Sequence, residues 1–397
     1  MNKKIFRRFL VFVTFILFLF VCPTLFAQTP TPAPSPSATI QPIDYSESVP
    51  YVPRVFKAPS SSTTVNTQTT DNKKPVTEPP KPVSTTIRNV IRSGESFTFP
   101  VSVFDSADSI ILGATKSNFR VFIGDEEQEI TNVETNTRPL NVVLMLDLSP
   151  SANYRQETIK KITSEIAQKL RPGDKIMVVQ FDEKLKVLTD FTTDRKAVTH
   201  AIEKSEGGDG TSLYESIEEV FDNKLAMIDG PSSIVLLTDG IDTTSRKTGY
   251  IHSLIEAEKG NANVFPIYFD TVDDQKKTSS GSRLGSGSGG ILAAILAGQP
   301  GNIGRPRSDK EIREERDRGI AYLNDLVQLS GGRALPSPSA SKKMPISTLV
   351  AGWLTHQYFL TINPKIPPNP GERLPFRVRV NRPGLAVIVK ASYYAGN

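Results

Sequence analysis

From residue 140 to residue 270 the chain alternates between two hydrophobic rhythms. NVVLMLD (141–147) is an unbroken apolar run that ends in an acid, the pattern of a strand buried on both faces. Ile159, Ile162, Ile166 and Leu170 then recur at helical spacing, until Pro172 and Gly173 stop the helix. KIMVVQFD (175–182) predicts a second strand and KLKVLTDF (184–191) an antiparallel edge partner after a tight turn. A short helix is predicted from Asp194 to Ser205, with Val198 and Ile202 inward. The turn GGDGT (207–211) opens another helix carrying Leu213, Ile217, Val220, Phe221 and Leu225. SSIVLLTD (232–239) is a third buried strand ending in an acid. A helix over 247–259 and a strand over 262–270 follow, the strand placed outermost by Pro266. Strands that alternate with helices predict an α/β fold, a doubly wound and mostly parallel sheet.

The flanks carry a different pattern. SFTFPVSVF sets Phe97, Phe99, Val101 and Val103 on one side, and FRVFI (119–123) and EITNV (129–133) follow at strand length. YFLTINP (358–364), PFRVRVNR (375–382) and LAVIVKASYY (385–394) read as three more strands, Arg377 and Arg379 facing out of the middle one. Neither flank has enough strands to close a core alone, so the two are expected to pack together as a small β domain around the α/β segment. The expected divisions are a β segment over 87–139, the α/β domain over 140–335 with a flexible insertion at 271–309, and a helix and β segment over 336–397. In the last of these, Leu349, Val350, Trp353 and Leu354 form a core-facing helix stripe.

The N-terminus is an address. Residues 1–27 join a basic start (Lys3, Lys4, Arg7, Arg8) to an apolar run and a small residue, Ala27. That is the layout of a secretory signal peptide, and the run is also just long enough for an uncleaved signal anchor. Either version sends the body out of the cytoplasm, as a periplasmic, secreted or membrane-anchored protein. Residues 28–86 hold 12 of the 30 prolines among serines and threonines, a composition that stays disordered and serves as a spacer.

Composition then narrows the chemistry. Among 397 residues, 47 are Lys or Arg and 42 Asp or Glu, for a net charge of +5. Residues 1–27 hold four of the basic side chains and no acid, so the body is almost neutral and a poor match for nucleic acid. The single cysteine, Cys22, lies in the same segment, which excludes internal disulfides and thiolate metal sites from the body. The three histidines, His200, His252 and His356, make no zinc spacing. GSRLGSGSGG (281–290) formally matches two glycine motifs, but no strand precedes it and its low complexity generates both.

Ligand sites in doubly wound sheets lie at the carboxyl ends of the strands, where Asp147 and Asp239 both fall. Asp147, Ser149 and Ser151 alternate, so an extended loop would point all three oxygens one way. Thr211 and Asp239 can reach the same rim. Two carboxylates and three hydroxyls, without histidine or thiol, form a donor set for a hard divalent cation.

The order D-x-S-x-S, a distant Thr and a distant Asp resembles the metal-ion-dependent adhesion site of the von Willebrand factor type A (VWA) domain, over about 140–335. LGATKSNFRVFIGDEEQEI, LVQLSGGRAL and RVNRPGLAVIVKASYY are similar to a bacterial extracytoplasmic branch of VWFA-related proteins known from acidobacteria. The resemblance implies a Rossmann-like sheet with Mg²⁺, or Mn²⁺ or Ca²⁺, held by Ser149, Ser151 and Thr211 directly. Asp147 and Asp239 would bind it directly or through water, and a carboxylate from a protein partner would complete the shell. Pro150 departs from the glycine that the family commonly has there, which bears on the loop's geometry. The expected function is an exported adhesion or protein-binding module, not an enzyme, tethered to a membrane if its signal is uncut. A structural envelope protein with a vestigial site and a metal-dependent hydrolase are the alternatives; the motif contains no general base for the latter.

Overall fold

The computed structural model describes residues 90–105, 109–149, 155–269, 308–335, 344–365 and 369–396. The N-terminal address (1–27), the linker (28–86), Pro150, Ser151 and all but the last two positions of the insertion (271–309) lie outside the described residues.

In chain order the strands are β1 (Val90–Ile91), β2 (Phe97–Phe104), β3 (Phe119–Ile123), β4 (Glu126–Gln128), β5 (Ile130–Thr135) and β6 (Asn141–Asp147). Helix α1 (Gln156–Lys169), β7 (Lys175–Phe181), β8 (Leu185–Thr192) and α2 (Arg195–Glu203) follow, then α3 (Leu213–Glu219), which runs on into a wider turn over Val220–Lys224. Next come β9 (Ser232–Thr238), α4 (Tyr250–Lys259), β10 (Ala262–Tyr268), α5 (Asp309–Ser330) and α6 (Ile346–Thr355). The chain ends in β11 (Tyr358–Ile362), β12 (Arg373–Val380), β13 (Ala386–Ile388) and β14 (Ser392–Ala395).

The central sheet has the order β10-β9-β6-β7-β8. Its first four strands are parallel and β8 is antiparallel to β7, giving the doubly wound α/β architecture that the alternating pattern predicts. Successive residues of a strand point to opposite faces, and the core divides accordingly. Val142, Leu144 and Leu146 of β6 pack with Ile159, Ile162 and Ile166 of α1, Val198 and Ile202 of α2, and Val350 and Trp353 of α6. Val143 and Met145 pack on the other face with Leu213 and Ile217 of α3, Leu254 of α4 and Tyr322, Leu323 and Leu326 of α5. Pro266 sits on the outermost strand, β10, and its carbonyl accepts from Leu335 N at 2.8 Å. Helix α4 starts at Tyr250, three residues later than its pattern predicts. The stretch 246–249 is held as a loop: Arg246 N and Lys247 N both donate to Glu215 Oε1 at 2.6 Å.

The two flanks interleave. β11 lies between β2 and β5, β3 pairs with β12, and β1 runs parallel to β14. Two sheets result, β1-β14-β12-β3-β4 and β13-β2-β11-β5, which enclose a separate core of Phe97, Phe99, Val101, Val121, Tyr358, Phe376 and Tyr393. The chain leaves these layers after β5 and returns at β11. LAVIVKASYY is not the single strand its apolar run predicts. It divides into β13 and β14, which join different sheets. The break falls at Lys390, whose buried Nζ donates to the carbonyls of Glu258 (2.7 Å) and Gly260 (2.6 Å) at the end of α4.

That contact belongs to a polar junction between α4 and the β layers. The buried Glu258 carboxylate accepts from Arg373 Nε at 2.6 Å, from Tyr394 OH at 3.0 Å and from Ser392 Oγ. Burial pulls the Lys390 ammonium down to about 7, against the opposing attraction of Glu258. An apolar junction lies elsewhere: Phe104 of β2 meets Trp353 of α6 edge to face at 5.1 Å, and the Arg333 guanidinium covers both rings. Among the described residues no helix is long and apolar enough to cross a membrane.

Candidate metal-ion site at the carboxyl edge of the central sheet

β6 and β9 are paired neighbours in the middle of the sheet, and both end in an acid. Asp147 is the last residue of β6, and Asp239 follows the last residue of β9. Both are buried, 1% and 4% exposed, at the edge where the strands give way to loops. Asp147 Oδ1 accepts from Ser149 N at 3.1 Å, and its Oδ2 accepts from Thr238 Oγ1 at 2.7 Å. No basic side chain forms an ion pair with Asp147 among the described residues. Burial first, and the neighbouring Asp239 carboxylate second, push the Asp147 carboxyl up to about 7, while the bonds from Ser149 and Thr238 pull against them.

Thr211 reaches this rim on a loop pinned from three sides. Gly208 N donates to the carbonyl of Leu148, the residue after Asp147, at 3.3 Å. The carbonyl of Asp182, just past the end of β7, accepts from Ser212 N (2.6 Å) and Ser212 Oγ (2.9 Å). Thr211 itself clasps the loop after Asp239: its N–H donates to Thr243 Oγ1 at 2.9 Å, and its carbonyl accepts from Thr243 N and Thr244 N. Gln180 of β7 adds a two-point clamp on Glu206, donating to its carbonyl at 2.7 Å and accepting from its N–H at 3.2 Å.

Asp147, at the end of β6, and Ser149, Thr211 and Asp239, on loops that hydrogen-bond to one another, are therefore all buried at one edge of the sheet. Ser151 lies outside the described residues. His252 is not part of this edge group; its Nε2 stands 3.4 Å from Glu218 Oε1. Thr238 is the participant that the sequence pattern misses. It reads as the last residue of a buried strand, yet its hydroxyl bonds a carboxylate 91 positions away. The parallel register, which pairs Leu146 with Leu237, is the signal that places it beside Asp147.

A buried carboxylate beside a second carboxylate, with only hydroxyl and amide donors on it, is a poor place for negative charge and a good place for a cation. The donors are oxygens, as Mg²⁺ and Mn²⁺ prefer. Among the described residues no group of three or more His, Cys, Asp or Glu side chains gathers as a metal site.

Residues 142–241 match the family model of the von Willebrand factor type A domain. The chain carries a VWA domain. The matched stretch runs from β6 to just past Asp239 and so contains the whole edge group. An uncharacterised protein of Synechocystis sp., sll0103, is 31% identical over 106 residues, 26% of this chain and 25% of that protein. The chain thus matches about a quarter of that relative's length. Among solved structures, the vWF domain of the type V pili tip protein Mfa5 of Porphyromonas gingivalis is 24% identical, over 27% of this chain and 40% of that one, with a TM-score of 0.26. The conserved hypothetical protein BatB of Bacteroides thetaiotaomicron is 17% identical, over 54% of this chain and 98% of that one, with a TM-score of 0.35. Likenesses this shallow carry no argument about what the VWA domain binds.

Proposed function

We propose that the VWA domain captures a protein partner through a divalent cation held at the edge of its central sheet. The observation that supports this most is the buried carboxylate pair: Asp147 is raised by burial and by Asp239, and no cationic side chain pairs with it among the described residues. A divalent ion supplies the missing charge. Mg²⁺ fits the all-oxygen donors, with Mn²⁺ and Ca²⁺ as relatives in kind. Ser149, Ser151 and Thr211 would bind it through hydroxyls, and Asp147 and Asp239 directly or through water. With few charged ligands on it, the ion stays electropositive, and an acidic side chain of a partner is the natural group to complete its shell.

In this reading the domain is a binding module, not an enzyme. Among its described residues the edge group holds carboxylates and hydroxyls but no histidine, lysine or thiol. The basic-then-apolar start of the chain supports export, with the proline-rich stretch over 28–86 as a spacer between the membrane and the folded body. Pull-down of partners by the folded body, with Mg²⁺ and with a chelator, tests the proposal. Capture that depends on the ion and disappears in Asp239→Ala is expected. Capture unchanged in chelator contradicts it.

A further inference from the structure

Helix α5 carries a glycine, Gly319, in the middle of its 22 residues, where glycine weakens a helix relative to alanine. The reason lies across the gap. Gly319 is buried, and a β-carbon built on it would stand 3.0 Å from the carbonyl oxygen of Asp239 and 3.0 Å from the carbonyl carbon and oxygen of Gly240. The fit is reciprocal: a β-carbon on Gly240 would meet Gly319 O at 2.8 Å, and Gly240 has the positive φ, +77°, that favours glycine. Two backbones thus touch with no side chain between them, directly behind one of the candidate ligands.

The contact continues to the other ligand. Gly240 N donates to Thr238 Oγ1 at 3.0 Å, and that hydroxyl donates its own proton to Asp147 Oδ2 at 2.7 Å. Ile241 N donates to Asp239 Oδ1 at 3.0 Å. Any shift of the Gly240 peptide therefore reaches both carboxylates. Helix α5 cannot easily give way instead. Its start is closed by a capping box between Ser308 and Glu311, and its middle is tied to α4 by Tyr250 OH on Asp325 (2.7 Å) and by the Ser253–Tyr322 hydroxyl pair (3.0 Å). Its end is tied to the β layers by Ala391 N on the carbonyl of Gln328 (3.2 Å).

From this we infer that Gly319, acting through Gly240 and Thr238, is a positioning residue for the Asp147–Asp239 pair and sets how tightly the edge holds its ion. The inference rests on the ion-binding reading above and goes further: it assigns control of affinity to a helix that supplies no ligand. A methyl group at position 319 would push on the Asp239–Gly240 backbone rather than on α5.

The test is Mn²⁺ titration of the full chain, followed by calorimetry and by the spin-resonance signal of free Mn²⁺, beside ion-free melting. Gly319→Ala should weaken Mn²⁺ binding about tenfold or more, the usual effect of disturbing a group that orients metal ligands. Gly352→Ala is the control. It adds the same methyl in the middle of α6, where the nearest neighbour, Ile110 Cδ1, is 4.0 Å away, and should leave Mn²⁺ affinity unchanged. Thr238→Val cuts the relay without adding volume and should also weaken binding, while Thr238→Ser, which restores the hydroxyl, recovers it. These variants carry the test if Gly319→Ala fails to fold. Wild-type affinity in folded Gly319→Ala, or in Thr238→Val, overturns the inference and leaves the ion site standing. A wild-type chain that binds no Mn²⁺ overturns both.

Discussion

Asp147 and Glu258 are both buried carboxylates, and their surroundings are opposites. Glu258 is answered from within the protein: Arg373, Ser392 and Tyr394 converge on its oxygens, and Lys390 reaches the carbonyl beside it. Asp147 has the Thr238 hydroxyl and the Ser149 hydroxyl and amide for partners and a second carboxylate for a neighbour. A buried charge that is matched in place holds elements together; one without a cationic side chain beside it is costly until a cation neutralises it. The first cluster joins α4 to the β layers and the second is the proposed ion site, so the two should respond in opposite ways to mutation, ions and pH.

The largest difference should appear when each acid is removed. Glu258→Ala strands a set of donors built around it, and equilibrium unfolding should show a loss of roughly 3 kcal/mol, toward the low end for a broken buried pair because Arg373 is partly exposed. Next is the effect of ions. Saturating Mg²⁺ or Mn²⁺ should stabilise the wild-type chain by about 2.7 kcal/mol at a hundredfold excess over Kd, read as a rise in Tm, and should do nothing for Asp147→Asn. The same ions should stabilise Glu258→Ala as well as wild type, since its ion site is intact.

Per unit of pH a smaller difference is expected. The folded value of Lys390, about 7, lies below its ordinary 10.5. Between those values the unfolded chain binds the extra proton, so this group's contribution to stability is full above about pH 10.5 and is lost as pH falls toward 7. Unfolding of wild type against Lys390→Met should therefore show a slope of at most about 1.4 kcal/mol per pH unit across that window, absent from the variant. The smallest effect should be that of Asp147→Asn without ions. It removes a carboxylate's repulsion together with one of its two acceptor oxygens, and stability should change by no more than about 1 kcal/mol. A large loss there would erase the contrast with Glu258.

Much of the architecture was legible in the chain. Continuous apolar runs ending at Asp147 and Asp239 marked the buried parallel strands and put both acids at strand ends, because a strand covered on both faces leaves no room for alternation. Legibility ended where a residue's role depends on a distant element. Glu258 reads as one more charge on an amphipathic helix until β12 and β14 are laid against it. LAVIVKASYY reads as one strand because its apolar run is continuous. Only the two carbonyls waiting for Lys390 at the end of α4 divide it. Thr238 carries no local mark at all, since its partner comes from a different strand.

The proposed function requires that the Asp147–Asp239 edge bind one divalent ion. Titration of Mn²⁺ into the wild-type chain and into Asp239→Ala, by calorimetry at neutral pH, tests it most directly. One site per chain is expected in the wild type and none in the variant. Equal binding by the two, or no binding by the wild type, would contradict it.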